Sequence, residues 1–183
     1  TRTAKRVACV GDSITRGYGA SSPATNYPSL LYHLLNLESH HIDVKNYGDC
    51  GTTAMKKNHY HEGSYWNSRM HRWSLEWLPD VVIIMLGTND SKYKNWNEET
   101  YRKDLQDLVQ KYLDLLSHPK VFLMIPPRVE PTESLKKMQI DAKVVRESLP
   151  PSIRYVAERT NGTQVIDLST IFQDPNHPYR VFK

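Results

Sequence analysis

The run Val81-Val-Ile-Ile-Met-Leu86 constrains the fold more than any other part of the chain. Its side chains carry no hydrogen-bonding group, and its first four residues are β-branched. Pro79-Asp80 precedes it and Gly87-Thr-Asn-Asp90 follows it. A short apolar run between turn residues reads as a strand. With no alternation of polar and apolar residues, that strand must be covered on both faces, the condition of a central strand in a parallel sheet.

The rest of the chain supplies a sheet and its cover. Val7–Val10 and Val121–Ile125 are further apolar runs, Ile42–Tyr47 alternates, and Val165–Leu168 is the last strand-like segment. Between them lie helical patterns. Tyr27–Asn36 has Pro28 in its first turn and a stripe of Leu30, Leu31, Leu34 and Leu35. Asn97 caps a long helix with Glu98 and Glu99 at its positive end and an inner stripe of Tyr101, Leu105, Leu108, Tyr112, Leu115 and Leu116. A helix over 133–149, a loop at Pro150-Pro151 and a short helix to Arg159 complete the reading. The order β-α-β-insert-β-α-β-α-β predicts a parallel sheet with helices on both faces.

The 183 residues suit one domain with a sizeable core. The net charge of +4 is spread among alternating acids and bases, so nucleic acid is not an expected partner. No apolar run approaches the ~20 residues of a membrane span. No leader is visible, which favours the cytoplasm, although the chain starts at Thr1 without Met. Cys9 falls in the first strand and Cys50 in a loop that can lie near it; a bridge between them stays open. Asn161-Gly-Thr163 matches a glycosylation sequon, a short pattern frequent by chance.

Three strands end in small polar loops: Gly11-Asp12-Ser13, Gly48-Asp-Cys-Gly51 and Gly87-Thr-Asn-Asp90. In a parallel sheet these ends share one rim, where ligands bind. Ser13 reads either as a nucleophile or, with Asp12, as a helix cap. Gly51 reads as a close-approaching amide or a turn glycine, and Asn89 as an amide donor or an Asx turn. Phosphate and dinucleotide loops fail on glycine spacing, and Thr15 stands where a G-x-S-x-G elbow needs glycine.

Gly11-Asp-Ser-Ile-Thr15, Asn46-Tyr-Gly-Asp-Cys-Gly-Thr-Thr-Ala54 and Gly87-Thr-Asn-Asp90 resemble the first three blocks of the SGNH (GDSL) hydrolases, in the family's order. The extended match at Leu86–Lys92 and Lys57–Trp66 looks most like the sialate O-acetylesterase and GDSL acylhydrolase branch. The resemblance implies a flavodoxin-like three-layer α/β/α sandwich. It also implies ester hydrolysis through an acyl-enzyme on Ser13. The oxyanion would be held by the Ser13 and Gly51 amides and the Asn89 side chain, with no cofactor or metal.

The family's base and its orienting acid form an Asp-x-x-His pair near the C-terminus. Asp174-Pro-Asn-His177-Pro178 matches literally, with five residues after it where the family has a closing helix. The expectation is one domain over 1–183 that lacks the true Asp-x-x-His segment, with Asp174 and His177 as the candidates present. Between the second and third blocks lie His59, Tyr60, His61, Tyr65, Trp66, His71, Trp73 and Trp77. They can overhang the site and face a sugar ring, while Trp73 and Trp77 read as core. His59-x-His61 lacks the further ligands of a zinc site. Glu130, Glu133 and Asp167 make no recognisable glycosidase pair. The reading is a serine esterase releasing a short acyl group, expected to be acetyl, from a sugar or other small ester. The alternative from another class is a carbohydrate-binding domain that has lost its catalytic pair. A lipase or thioesterase would need an apolar groove.

Overall fold

The apolar run forms β3 (Val81–Met85), the middle strand of a five-stranded parallel sheet. The computed structural model describes residues 4–37, 41–59 and 63–170. On one side of β3 lie β1 (Lys5–Gly11) and then β2 (Ile42–Gly48); on the other lie β4 (Lys120–Ile125) and then β5 (Thr163–Asp167). The order β2-β1-β3-β4-β5 is flavodoxin-like, and the chain changes direction across the sheet between β1 and β3. The register pairs Gly11 with both Gly48 and Met85, so β1, β2 and β3 end at one level.

Successive residues of β1 serve opposite faces. Val7 and Cys9 join Ile83, Met85 and Met124 beneath α1 (Ser13–Arg16) and α2 (Tyr27–Leu35), through Ile14, Tyr27, Leu31 and Leu35. Ala8 and Val10 join Val82, Ile84, Leu123 and Ile125. That face is covered by α3 (Arg69–Glu76), α4 (Glu98–Leu113) and α6 (Leu149–Arg159). Burial on both sides explains why β1 and β3 carry no polar alternation. No described helix is long and apolar enough to cross a membrane.

Several helical expectations need correction. In α2, Leu31 and Leu35 face the sheet, but Leu30 and Leu34, about 100° away around the helix, are exposed. In α4, Tyr101, Leu105, Leu108 and Tyr112 are buried as a stripe, whereas Leu116 lies past the helix end and is exposed. The helix expected over 133–149 is two pieces. α5 (Glu133–Lys137) stops early, and Gln139 takes a left-handed φ of 61°. A π-helical turn, Val144–Ser148, then leads directly into α6. Pro150 and Pro151 fall in the first turn of α6, where a missing amide N–H costs no intrahelical bond, so they start a helix there rather than form a loop. Trp73 is exposed under the Arg69 guanidinium instead of lying in the core.

Two glycines let the loops meet. A Cβ on Gly48 would lie 2.3 Å from the Arg16 nitrogen and 2.8 Å from the Asp12 carbonyl oxygen. A Cβ on Gly11 would lie 2.6 Å from the Met85 carbonyl oxygen. Both contacts are to backbone that cannot swing aside, so α1 packs directly on the end of β2 and β1 lies close against the end of β3. Asn46 locks this junction: its amide donates to the Thr15 carbonyl at 2.8 Å and its oxygen accepts from Gly48 N–H at 2.9 Å.

Candidate active site

Ser13 is the first residue of α1. The cap is Asp12, whose Oδ1 accepts from Ile14 N–H at 2.9 Å. The alternatives open for the Asp12-Ser13 pair therefore divide between the two residues. Asp12 satisfies the helix end, and the Ser13 side chain is left half-buried at the wall of a cleft. Gly17 closes the single turn with a φ of 100°, and Gly17 and Tyr18 N–H both donate to the Ser13 carbonyl.

The loop after β2 is fastened to the loop after β3. Asp90, fully buried, accepts from Ala54 N–H at 3.0 Å and Met55 N–H at 2.9 Å. That fork fixes the segment following Gly51, whose φ of 77° suits glycine. Asn95 adds a second tie, donating to the Asn89 carbonyl at 3.1 Å and to Asn58 Oδ1 at 2.9 Å. Neither Asp90 nor Asn95 stood out as a positioning residue in the sequence. Asp90 adjoins Asn89 in the third loop, which is the one signal that pointed to it.

Asn89 is buried at the cleft wall. Its Nδ2 donates to the Thr52 carbonyl at 3.2 Å and reaches Asp12 Oδ2 at 3.4 Å. The first bond aims the amide. The second is long and weak, so that hydrogen is available to a developing oxyanion.

Asp12 is pushed up to about 7, first by burial and further by the Asp90 charge, with the Ile14 amide opposing. Burial likewise raises Asp90 to about 6. An unfolded aspartate releases its proton near ~3.9, so between there and about pH 7 the folded chain binds more protons than the unfolded one. Stability from these groups is therefore full below the unfolded value and lost as pH rises through about 6 to about 7. The thermal unfolding midpoint is expected to fall between pH 5 and 8, and to fall less in Asp12→Asn. A midpoint that rises over this range equally in both proteins would contradict the assignment.

Ser13, Gly51 and Asn89 line one cleft of about 480 Å³. Tyr18, Cys50 and Thr88 line it too, and the wall 137–140 includes Lys137 and Met138. That wall is held by Tyr93 N–H donating to the Gln139 carbonyl at 3.2 Å and by pairing of Lys92 with Ile140. Cys9 is buried, with its thiol raised to about 12 by desolvation, and Cys50 is exposed; both are free thiols.

Among the described residues, none of the aromatic insert lines the cleft. Tyr65 is buried and donates to the Tyr47 carbonyl at 2.8 Å. Trp66 donates to the Ala54 carbonyl at 3.0 Å, and Trp77 packs on the Tyr47 ring. His71 is buried among Tyr65, Trp66 and Tyr112, and burial lowers its basicity. These side chains fill the space between α3, α4 and the sheet. Tyr60, His61, Asp174 and His177 lie outside the described residues. Among the described residues, no histidine lines the Ser13 cleft. Glu130, Glu133 and Asp167 pair with Arg146, Lys136 and Arg154.

A profile of the GDSL-like lipase/acylhydrolase family matches residues 9–182. An acetylxylan esterase of Xylanibacter ruminicola is 32% identical over 186 aligned positions, 91% of this chain; the chain spans 36% of that relative's length. A carbohydrate acetylesterase family member from Sinorhizobium meliloti superposes with a TM-score of 0.68 at 23% identity, over 91% of this chain and 84% of that one. A lipase/acylhydrolase from Enterococcus faecalis superposes with a TM-score of 0.66 at 26% identity, over 92% and 78%.

Proposed function

The chain belongs to the GDSL-like lipase/acylhydrolase family, and from that premise we propose that it hydrolyses acetyl esters of carbohydrates through an acyl-enzyme on Ser13. The observation that carries the reading is the meeting of Ser13, Gly51 and Asn89, from three separate strand-end loops, in one cleft. The name of the Xylanibacter relative supports the acetyl group and the sugar.

The roles follow from the chemistry. Ser13 Oγ attacks the ester carbonyl carbon while its proton passes to a histidine. The carbonyl oxygen becomes an oxyanion that accepts from the Ser13 and Gly51 amides and the Asn89 side chain. Collapse expels the sugar alkoxide, which takes the proton back from the histidine. Water, deprotonated by the same base, then attacks the acyl-serine; acetate is released and Ser13 Oγ takes the proton back from the histidine. Within this sequence the candidates for base and orienting acid are His177 and Asp174, the one place where Asp-x-x-His occurs. A pair further along a longer chain is the other source of the same chemistry.

Hydrolysis of p-nitrophenyl acetate by this 183-residue chain tests the assignment. Turnover that falls by roughly 10³-fold or more in His177→Ala places the base at His177. Equal turnover in both proteins moves the base elsewhere. No turnover by the chain, together with turnover by a longer one bearing its own Asp-x-x-His, places the pair beyond Lys183. No turnover by either favours the carbohydrate-binding alternative, which the lack of a cleft histidine among the described residues keeps in view.

A further inference from the structure

The wall facing the three loops is cationic. α5 ends at Lys136 and Lys137, about 100° apart around the helix. Lys136 pairs with Glu133 at 2.7 Å on the outer side. Lys137 lines the cleft, and among the described residues no carboxylate pairs with it. No described acidic residue lines the same cleft. The position of Lys137 is not left to a loose end of chain. Ile140 N–H donates to the Leu135 carbonyl at 3.0 Å, and Asp141 N–H to the Ser91 carbonyl at 3.3 Å. These bonds fix the wall to the loop that bears Asn89. Tyr18, 73% exposed, presents an aromatic ring along the same cleft.

An ester held at Ser13 thus has a flat aromatic face and an unneutralised ammonium within the same cleft. An aromatic ring packs on the apolar face of a sugar, and an ammonium hydrogen-bonds best to an anion. We propose that the cleft selects O-acetylated sugars that carry a carboxylate, such as a uronic acid. Lys137 pairs the carboxylate and Tyr18 stacks on the ring. The reaction part of this inference rests on the esterase reading above; the binding part does not.

Binding is tested on the full-length protein by NMR titration with glucuronate, glucose and acetate at matched ionic strength. Glucuronate is expected to saturate with an affinity about 10-fold above that of either control, the scale of one charge-assisted contact. Lys137→Ala removes that preference, and because the residue is exposed the fold is retained. Tyr18→Ala weakens both sugars and leaves acetate unchanged. Equal binding of glucuronate and glucose, equal binding of glucuronate and acetate, an unchanged preference in Lys137→Ala, or no saturation by glucuronate each overturns the proposal. Hydrolysis of mono-O-acetyl glucuronic acid and mono-O-acetyl glucose separates the two readings. With the binding preference intact, turnover of neither ester defeats the esterase reading alone. Turnover of both at equal kcat/KM, with no binding preference, defeats the present inference alone.

Discussion

Ser13→Ala in the full-length protein is expected to lower ester hydrolysis by roughly 10³-fold or more while leaving the fold in place. The loss is large because, in the proposed reaction, the Ser13 hydroxyl oxygen is the atom that becomes acylated. Thr88, the other aliphatic hydroxyl among the described lining residues, is 8% exposed and belongs to the loop that bears Asn89. Folding is spared for a reason specific to this turn. Asp12, not Ser13, supplies the cap of α1, and the Ser13 carbonyl that accepts from Gly17 and Tyr18 is backbone. A half-buried serine whose capping duty is done by its neighbour leaves alanine within about 0.5 kcal/mol in stability. Kinetics on p-nitrophenyl acetate and a urea unfolding curve read the two halves. A variant that kept its rate would remove Ser13 from the chemistry. One that lost rate and fold together would show that its duty is structural.

Asn89→Ala is expected to cost about 10²–10³-fold in kcat with a much smaller change in KM. The amide is aimed by its bond to the Thr52 carbonyl, and its second hydrogen has only the 3.4 Å contact to Asp12 to lose. It therefore strengthens its bonding when charge develops on the substrate oxygen, and little before. Asn89→Asp separates donor from volume. It keeps the shape, removes both amide hydrogens and sets a third carboxyl against Asp12 and Asp90, so its kcat is expected at or below that of Asn89→Ala. A KM effect without a kcat effect in Asn89→Ala would instead make the residue a ground-state contact.

What the sequence made legible was local. β3 could be read because six apolar residues stand between a proline and a glycine, and β1 ended visibly at Gly11-Asp12. Once the strands were parallel, the three loops had to share a rim, so Ser13, Gly51 and Asn89 could be brought together without a structure. Less visible was anything made by long-range packing. The helix break at Gln139 and the wall that carries Lys137 depend on Lys92 pairing with Ile140 and Tyr93 bonding to Gln139, across more than forty residues of chain. No local period encodes those pairings. Pro150 and Pro151 misled because proline stops a helix from within and starts one from its first turn, and only the π-turn ahead of α6 shows which applies. The aromatic insert misled in the same manner. Tyr65, Trp66 and His71 have the composition of a sugar-binding surface, but the bonds of Tyr65 and Trp66 to the Tyr47 and Ala54 carbonyls turn them inward. Among the described residues, the aromatic side chain that does line the cleft is Tyr18, from the turn after α1.

The geometry also separates duties among neighbouring carboxyl groups. Asp12 caps and contacts Asn89, Asp90 holds the second loop, and neither reaches the cleft lining. Their raised proton affinities follow from burial, and their place is behind the reacting groups rather than among them.

The central claim is that Ser13 is the nucleophile. It is tested most directly by intact-mass analysis of the protein after a serine-directed phosphonate, with peptide mapping of the adduct. A single addition, mapped to Ser13 and absent from Ser13→Ala, is the predicted result. Labelling of a different residue, or an addition that persists in Ser13→Ala, would contradict it.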